Sequence, residues 1–209
     1  MAVNSVHPEY DYRLNQWTRC RDVVNGTDSV KLAKTRYLPK LSGQTVDEYD
    51  AYLARALYYN ATGRTVQGLM GAVFRKNPSY DIPNNYIDLL EYLTIEGFSY
   101  NELARLIVRE ILSVGRIGLL VDVDNTSNDP YVTTYKAENI INWKVERKNG
   151  KMELILVVLK ETYNKKEDSQ FETENSGVIS VRIDRKRKIP ATAFLRAFGI
   201  GNDEKIKKL

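Results

Sequence analysis

The sequence predicts an α+β fold: an N-terminal helical region, then a small, mostly antiparallel sheet, and finally a short strand and helix. Three observations carry this expectation. Up to about residue 114 the apolar side chains recur at helical spacing, and from Ile117 they run together or alternate as strands do. Asn149-Gly150 then stands between two strand-like runs, where Asn-Gly supplies the two positive φ values of a type I′ hairpin turn. With 43% hydrophobic and 28% charged residues in 209, the chain can bury a real core.

The elements follow in order. In HPEYDYRLNQWTRCRDVVNG, residues Tyr10, Leu14, Trp17, Val23 and Val24 share one face and Gly26 is a natural stop, which predicts a helix over about 8–24. Thr45 and Glu48 form a capping box that opens helical periodicity over about 45–73, either two helices or one with a break near Gly63. NNYIDLLEYLTIEG predicts a shorter helix over 84–95. Ser99 and Glu102 then cap a strongly amphipathic helix over 99–114, closed by Gly115. Strands are expected at about 117–123, 131–135, 141–147 and 151–161, forming a three- or four-stranded antiparallel layer. NKKEDSQ reads as an exposed loop, which divides the chain into residues 1–168 and 169–209. In the second part VISVRID alternates as a strand, and a helix is expected from Pro190 or just after it.

Little in this sequence suggests catalysis. His7 is the one histidine and has no partner motif, so Ser-His and Cys-His chemistry lack support. The phosphate-cradling GxxxxGK[ST] pattern is absent, and Gly63, Gly68 and Gly71 lie inside a helical pattern, where close packing is the natural use. Asp122 and Asp124 of VDVD are the best metal candidates, with Asn125 and Asp129 nearby, but acids leading into a turn also cap backbone N–H groups. No cofactor is expected. The single cysteine, Cys20, excludes an internal disulfide. No run reaches the roughly 18 apolar residues of a membrane span, and no membrane partner is expected.

Charge is unevenly distributed. Residues 169–209 hold nine Lys or Arg and five Asp or Glu, so they carry the whole net charge of +4 and residues 1–168 are neutral. Arg182, Arg185, Lys186, Arg187 and Lys188 form its densest part and are the candidate nucleic-acid contacts. Fourteen tyrosines, four of them at 49, 52, 58 and 59, suit either a protein interface or ordinary packing.

Two family resemblances arise from these features. HPEY, Trp17 followed by RD and NG, YLPKL, YLARALYYNATGRTVQGLMGAVFRKNP, GRIGLLVDVD, YKAENIINW and LVVLKE, in that order over about residues 5–168, resemble tailed-bacteriophage portal proteins. That resemblance implies a wing and core fragment of a ring-forming subunit, typically a dodecamer, at the capsid vertex of the virion. It also implies terminase and head-completion proteins as partners, double-stranded DNA passing through the ring, assembly in the host cytoplasm, and no enzymatic activity. FETENSGVISVRIDRKRKIPATAFLRAFGIGNDEKIKKL, residues 171–209, instead resembles a segment of the bacterial RNA polymerase β subunit. This second resemblance implies a lobe region outside the catalytic centre, and with it a transcription-related or nucleic-acid-binding module. The two together suggest a chain of two origins joined near residues 169–172.

Overall fold

The computed structural model describes residues 5–123, 129–148, 150–165 and 173–182, and they form an α+β arrangement. The first helix, α1, runs Pro8–Asn25. It is capped by His7, whose Nδ1 accepts the Glu9 N–H at 3.2 Å, with Pro8 in the first turn, where a missing N–H costs nothing. A short α2, Thr27–Leu32, follows across Gly26, whose φ of 98° admits the sharp bend.

The 45–73 periodicity resolves into α3, Val46–Arg55, and α4, Ala61–Val73. The break falls at 56–60 and not near Gly63. There the chain turns to meet the end of α1: the Tyr58 hydroxyl donates to Val23 O and Asn60 Nδ2 to Val24 O, while Asn60 Oδ1 accepts the Gly63 N–H at 2.7 Å and starts α4. Gly63 is buried at this crossing. A Cβ there would stand 2.7 Å from Val24 O, so only glycine allows the two helices so close. Gly68 and Gly71 meet nothing within 4 Å and have no such use.

The helix expected over 84–95 is not formed. Asn84–Tyr86 and Asp88–Leu90 make two 3₁₀ turns, and beyond them the backbone is engaged elsewhere. Val132 donates to Leu93 O at 2.8 Å, Ile95 donates to Val132 O at 3.3 Å, and Leu93 and Thr94 donate to Phe98 O around Gly97. Hydrogen bonds with a strand some forty residues later thus override a helical pattern of apolar side chains.

Helix α5, Tyr100–Val114, has the capping box the sequence suggests. Ser99 Oγ accepts the Glu102 N–H, and the Glu102 carboxylate accepts the Ser99 N–H at 2.8 Å. These backbone and hydroxyl donors hold the Glu102 carboxyl below its usual range. Gly115 closes the helix at φ 79°. Replacing Ser99 by Ala is expected to cost about 1 kcal/mol, read as a lower midpoint in urea with an unchanged slope.

The strands form two sheets, where the sequence suggested one layer. β1, Ile117–Val123, and β2, Pro130–Lys136, pair antiparallel, with Leu120 opposite Thr133. β3, Ile140–Lys148, β4, Lys151–Lys165, and β5, Thr173–Arg182, make a three-stranded antiparallel sheet in that order. A 3₁₀ turn, Ala137–Asn139, separates the two sheets. Gly150, at φ 78°, turns β3 into β4. β4 is the central strand, and Leu159 within it is fully buried, opposite Ile140 on one side and Ile179 on the other. β5 continues the sheet from Leu156↔Arg182 to Lys165↔Thr173, so strands on both sides of the 168/169 division share one hydrogen-bonded sheet. The helix expected from Pro190 lies outside the described residues.

Burial explains the layering. Leu103, Ile117, Leu119 and Val132 form one core cluster between α5 and the β1–β2 pair. Leu120, Tyr135, Ile140, Leu154, Val157 and Leu159 form a second between that pair and the larger sheet. β1 is therefore covered on both faces, which is why IGLL reads as a continuous apolar run. Among the described residues no helix is long and apolar enough to cross a membrane.

Candidate functional site

Of the basic segment only Arg182 falls within the described residues. It is the last residue of β5, paired in register with Leu156 of β4. Arg185, Lys186, Arg187 and Lys188 lie outside the described residues.

Asp122 lies near the end of β1, opposite Tyr131. Its carboxylate accepts the Val123 N–H at 2.8 Å, the local backbone role open to an acid beside a turn. Asp124 lies outside the described residues. Among the described residues no group of three or more His, Cys, Asp or Glu is placed to hold a metal ion.

The structure also assembles a polar junction that the sequence did not reveal. Arg21 of α1 reaches two glutamates on two other elements. Its Nη1 and Nη2 donate to the two oxygens of Glu110, on α5, at 3.0 and 2.7 Å. Its Nε and Nη2 donate to Glu138, in the turn before β3, the latter at 2.8 Å. All three side chains are at most about a quarter exposed. Burial alone would push the Glu138 carboxyl up, but the hydrogen bond and charge of Arg21 outweigh it and hold the group below its ordinary 4.5. Burial likewise opposes the charge on Arg21, and the two carboxylates reverse that effect and raise its pKa. Tyr10 donates its hydroxyl to Glu138 O at 2.9 Å, and burial followed by the neighbouring Glu138 charge raises its pKa.

Beside this junction, the Arg116 guanidinium lies 5.7 Å from the ring centre of Trp17 and 4.2 Å from that of Trp143. His7 stacks on Trp143 with ring centres 4.0 Å apart, and its backbone N–H donates to Ile141 O at 3.0 Å. The lone histidine is therefore a helix cap and a stacking partner. A second buried polar contact joins the two sheets, where the Tyr135 hydroxyl donates to Glu161. Burial, then that carboxylate, push the Tyr135 pKa well up. These contacts hold α1 to the sheets, and none leaves a nucleophile beside a base.

Comparison with known proteins points to the later, strand-rich part of the chain. The family model RNA polymerase Rpb2, domain 2, matches residues 126–209. The DNA-directed RNA polymerase subunit beta of Alkaliphilus metalliredigens is 55% identical over 40 residues, which is 19% of this chain and 3% of that protein. The corresponding subunit of Rubrobacter xylanophilus is 57% identical over 37 residues, or 18% of this chain and again 3% of that protein. The chain therefore matches only a small fraction of the length of these curated relatives. These findings overturn the portal-protein reading of residues 5–168 and what followed from it: the dodecameric ring, the terminase and head-completion partners, the place in the virion and the absence of any enzyme. The relatives are subunits of a polymerase, which is an enzyme. The match begins at residue 126 and crosses residues 169–172, so the junction of two origins placed there falls with it. Residues 126–209, which include β2 to β5 and the basic run, are similar to domain 2 of RNA polymerase Rpb2.

Proposed function

We propose that the chain is a transcription-related, nucleic-acid-binding module akin to part of a DNA-directed RNA polymerase β subunit, with the segment from Arg182 to Lys188 as its contact with phosphate. One observation carries this reading: the match to Rpb2 domain 2 and the whole net positive charge fall on the same stretch of chain. Three arginines and two lysines in that segment suit a phosphate backbone, because guanidinium forks and ammonium point charges both displace condensed counterions. The preceding residues form a sheet with β4 at its centre, whose strand β5 ends at Arg182. In this role the partners are DNA and the remaining subunits of such a polymerase, and the place of action is the nucleoid.

The test is direct. Anisotropy of a short labelled DNA duplex, titrated with the full 209-residue chain at low salt, should report binding. Changing Arg185, Lys186, Arg187 and Lys188 together to Ala should weaken that binding by roughly a hundredfold, because several phosphate contacts are lost at once. Equal affinity for the two proteins would remove the reading.

A further inference from the structure

In the helical part of the chain α4 packs against α5, and one cation there lies over one ring. The Arg105 guanidinium is 4.8 Å from the centre of the Phe74 ring. Phe74 caps the C-terminal end of α4, so Arg75 and Lys76 leave the backbone one and two residues beyond the ring that Arg105 covers. Arg109 lies one turn further along α5, and residues four apart are neighbours on a helix surface. All four basic residues are exposed.

This cluster lacks counter-charge. The two acids of α5 are engaged elsewhere, Glu102 with the Ser99 cap and Glu110 with Arg21. Residues 51–80 contain no acid. The connection between the helices carries Asp81, Asp88, Glu91 and Glu96, yet among the described residues no carboxylate forms an ion pair with Arg75, Lys76, Arg105 or Arg109. Cations just past a helix C-terminus favour its dipole, which accounts for Arg75 and Lys76. It does not account for Arg105 and Arg109, in the body of α5. Stacking on Phe74 orients the Arg105 guanidinium and leaves the donors along its edge to an outside acceptor.

We infer that Arg75, Lys76, Arg105 and Arg109 form a second phosphate-binding surface, which contacts the backbone of a nucleic acid separately from Arg182–Lys188. The choice of nucleic acid among polyanions rests on the function proposed above, whereas the four unpaired cations stand on their own geometry. A guanidinium held against a ring presents a two-pronged donor to a phosphate, and three further cations beside it displace condensed counterions without reading bases. The surface lies outside residues 126–209, so it extends nucleic-acid contact into the part of the chain that the family match does not cover.

The probe is a labelled DNA duplex titrated against the full chain at low salt. Arg75→Gln, Lys76→Gln, Arg105→Gln and Arg109→Gln together should weaken binding about tenfold, with an unchanged melting temperature because all four residues are exposed. Arg75→Gln with Arg109→Gln, which leaves Arg105 on Phe74, should weaken it about threefold. Adding the four Ala replacements at 185–188 should multiply the two losses, as separate surfaces do. Wild-type affinity in both Gln variants, with the Ala replacements still weakening binding, would overturn this proposal and leave the function above standing. Loss with the Gln variants alone would support this surface and remove the contact at Arg182–Lys188. Displacement of the duplex by a poly-glutamate peptide of equal charge at equal concentration would overturn the proposal, because the partner would then be an acidic protein.

Discussion

Arg21→Ala is expected to destabilise the protein by about 3 kcal/mol, because it leaves the Glu110 and Glu138 carboxylates confined at the junction of α1, α5 and the turn before β3 with no cation between them. The loss exceeds that of an exposed ion pair, since Glu110 is only 11% exposed at its side chain and both carboxylates use two-pronged geometry. The sign of the pH dependence is fixed by the same contacts. In the wild type the Glu138 carboxyl is held below 4.5, so its stabilisation is fully present above that pH and disappears as the pH falls below it. Without Arg21 the burial of Glu138 is opposed only by a backbone hydrogen bond and the charge of Lys136, and protonation then relieves the variant. The gap between the two proteins in urea denaturation should therefore be widest near neutrality and shrink below about pH 4.5. A gap that stayed constant with pH would mean that Arg21 acts through packing alone.

Leu159→Ala is expected to cost about 3 to 4 kcal/mol, the upper part of the range for a truncated core leucine. Leu159 has no exposed surface, sits in the central strand, and packs in the cluster of Leu120, Tyr135, Ile140, Leu154 and Val157. The cavity would open where three strands and the β1–β2 pair meet, so no flexible edge can close over it. Loss of the near-ultraviolet signal of Trp143, which packs against this cluster, should accompany unfolding at lower urea. A cost below about 1 kcal/mol would show that the two sheets do not share this core.

How far the sequence could be read follows from how local each feature is. The capping boxes at Thr45 and Ser99, the left-handed Gly115 and the turn at Gly150 are all written within a few residues, and the structure has each of them. The 84–95 segment has helical spacing too, but its final residues bond to Val132, and no local pattern announces a distant strand. The split of the strands into two sheets is equally non-local. Arg21 looks like any surface arginine on a helix, because its two partners lie 89 and 117 residues away. His7 was legible as a lone histidine but not as a cap that stacks on Trp143. The basic run was legible both as charge and, through residues 171–209, as a resemblance to the bacterial RNA polymerase β subunit, which the matched relatives bear out. The portal resemblance rested on short motifs spread over residues 5–168, the last of them on β2 to β4, whereas the family match covers residues 126–209.

The central claim, that the Arg182–Lys188 segment grips a phosphate backbone, is tested most directly by the salt dependence of DNA binding. The logarithm of the association constant plotted against the logarithm of salt concentration should fall steeply for the wild type. Replacing Arg185, Lys186, Arg187 and Lys188 by Ala should flatten that slope by about 3 to 4, roughly 0.9 for each lost phosphate contact. Parallel lines for the two proteins would contradict the account, because the counterions released on binding would then come from elsewhere on the chain.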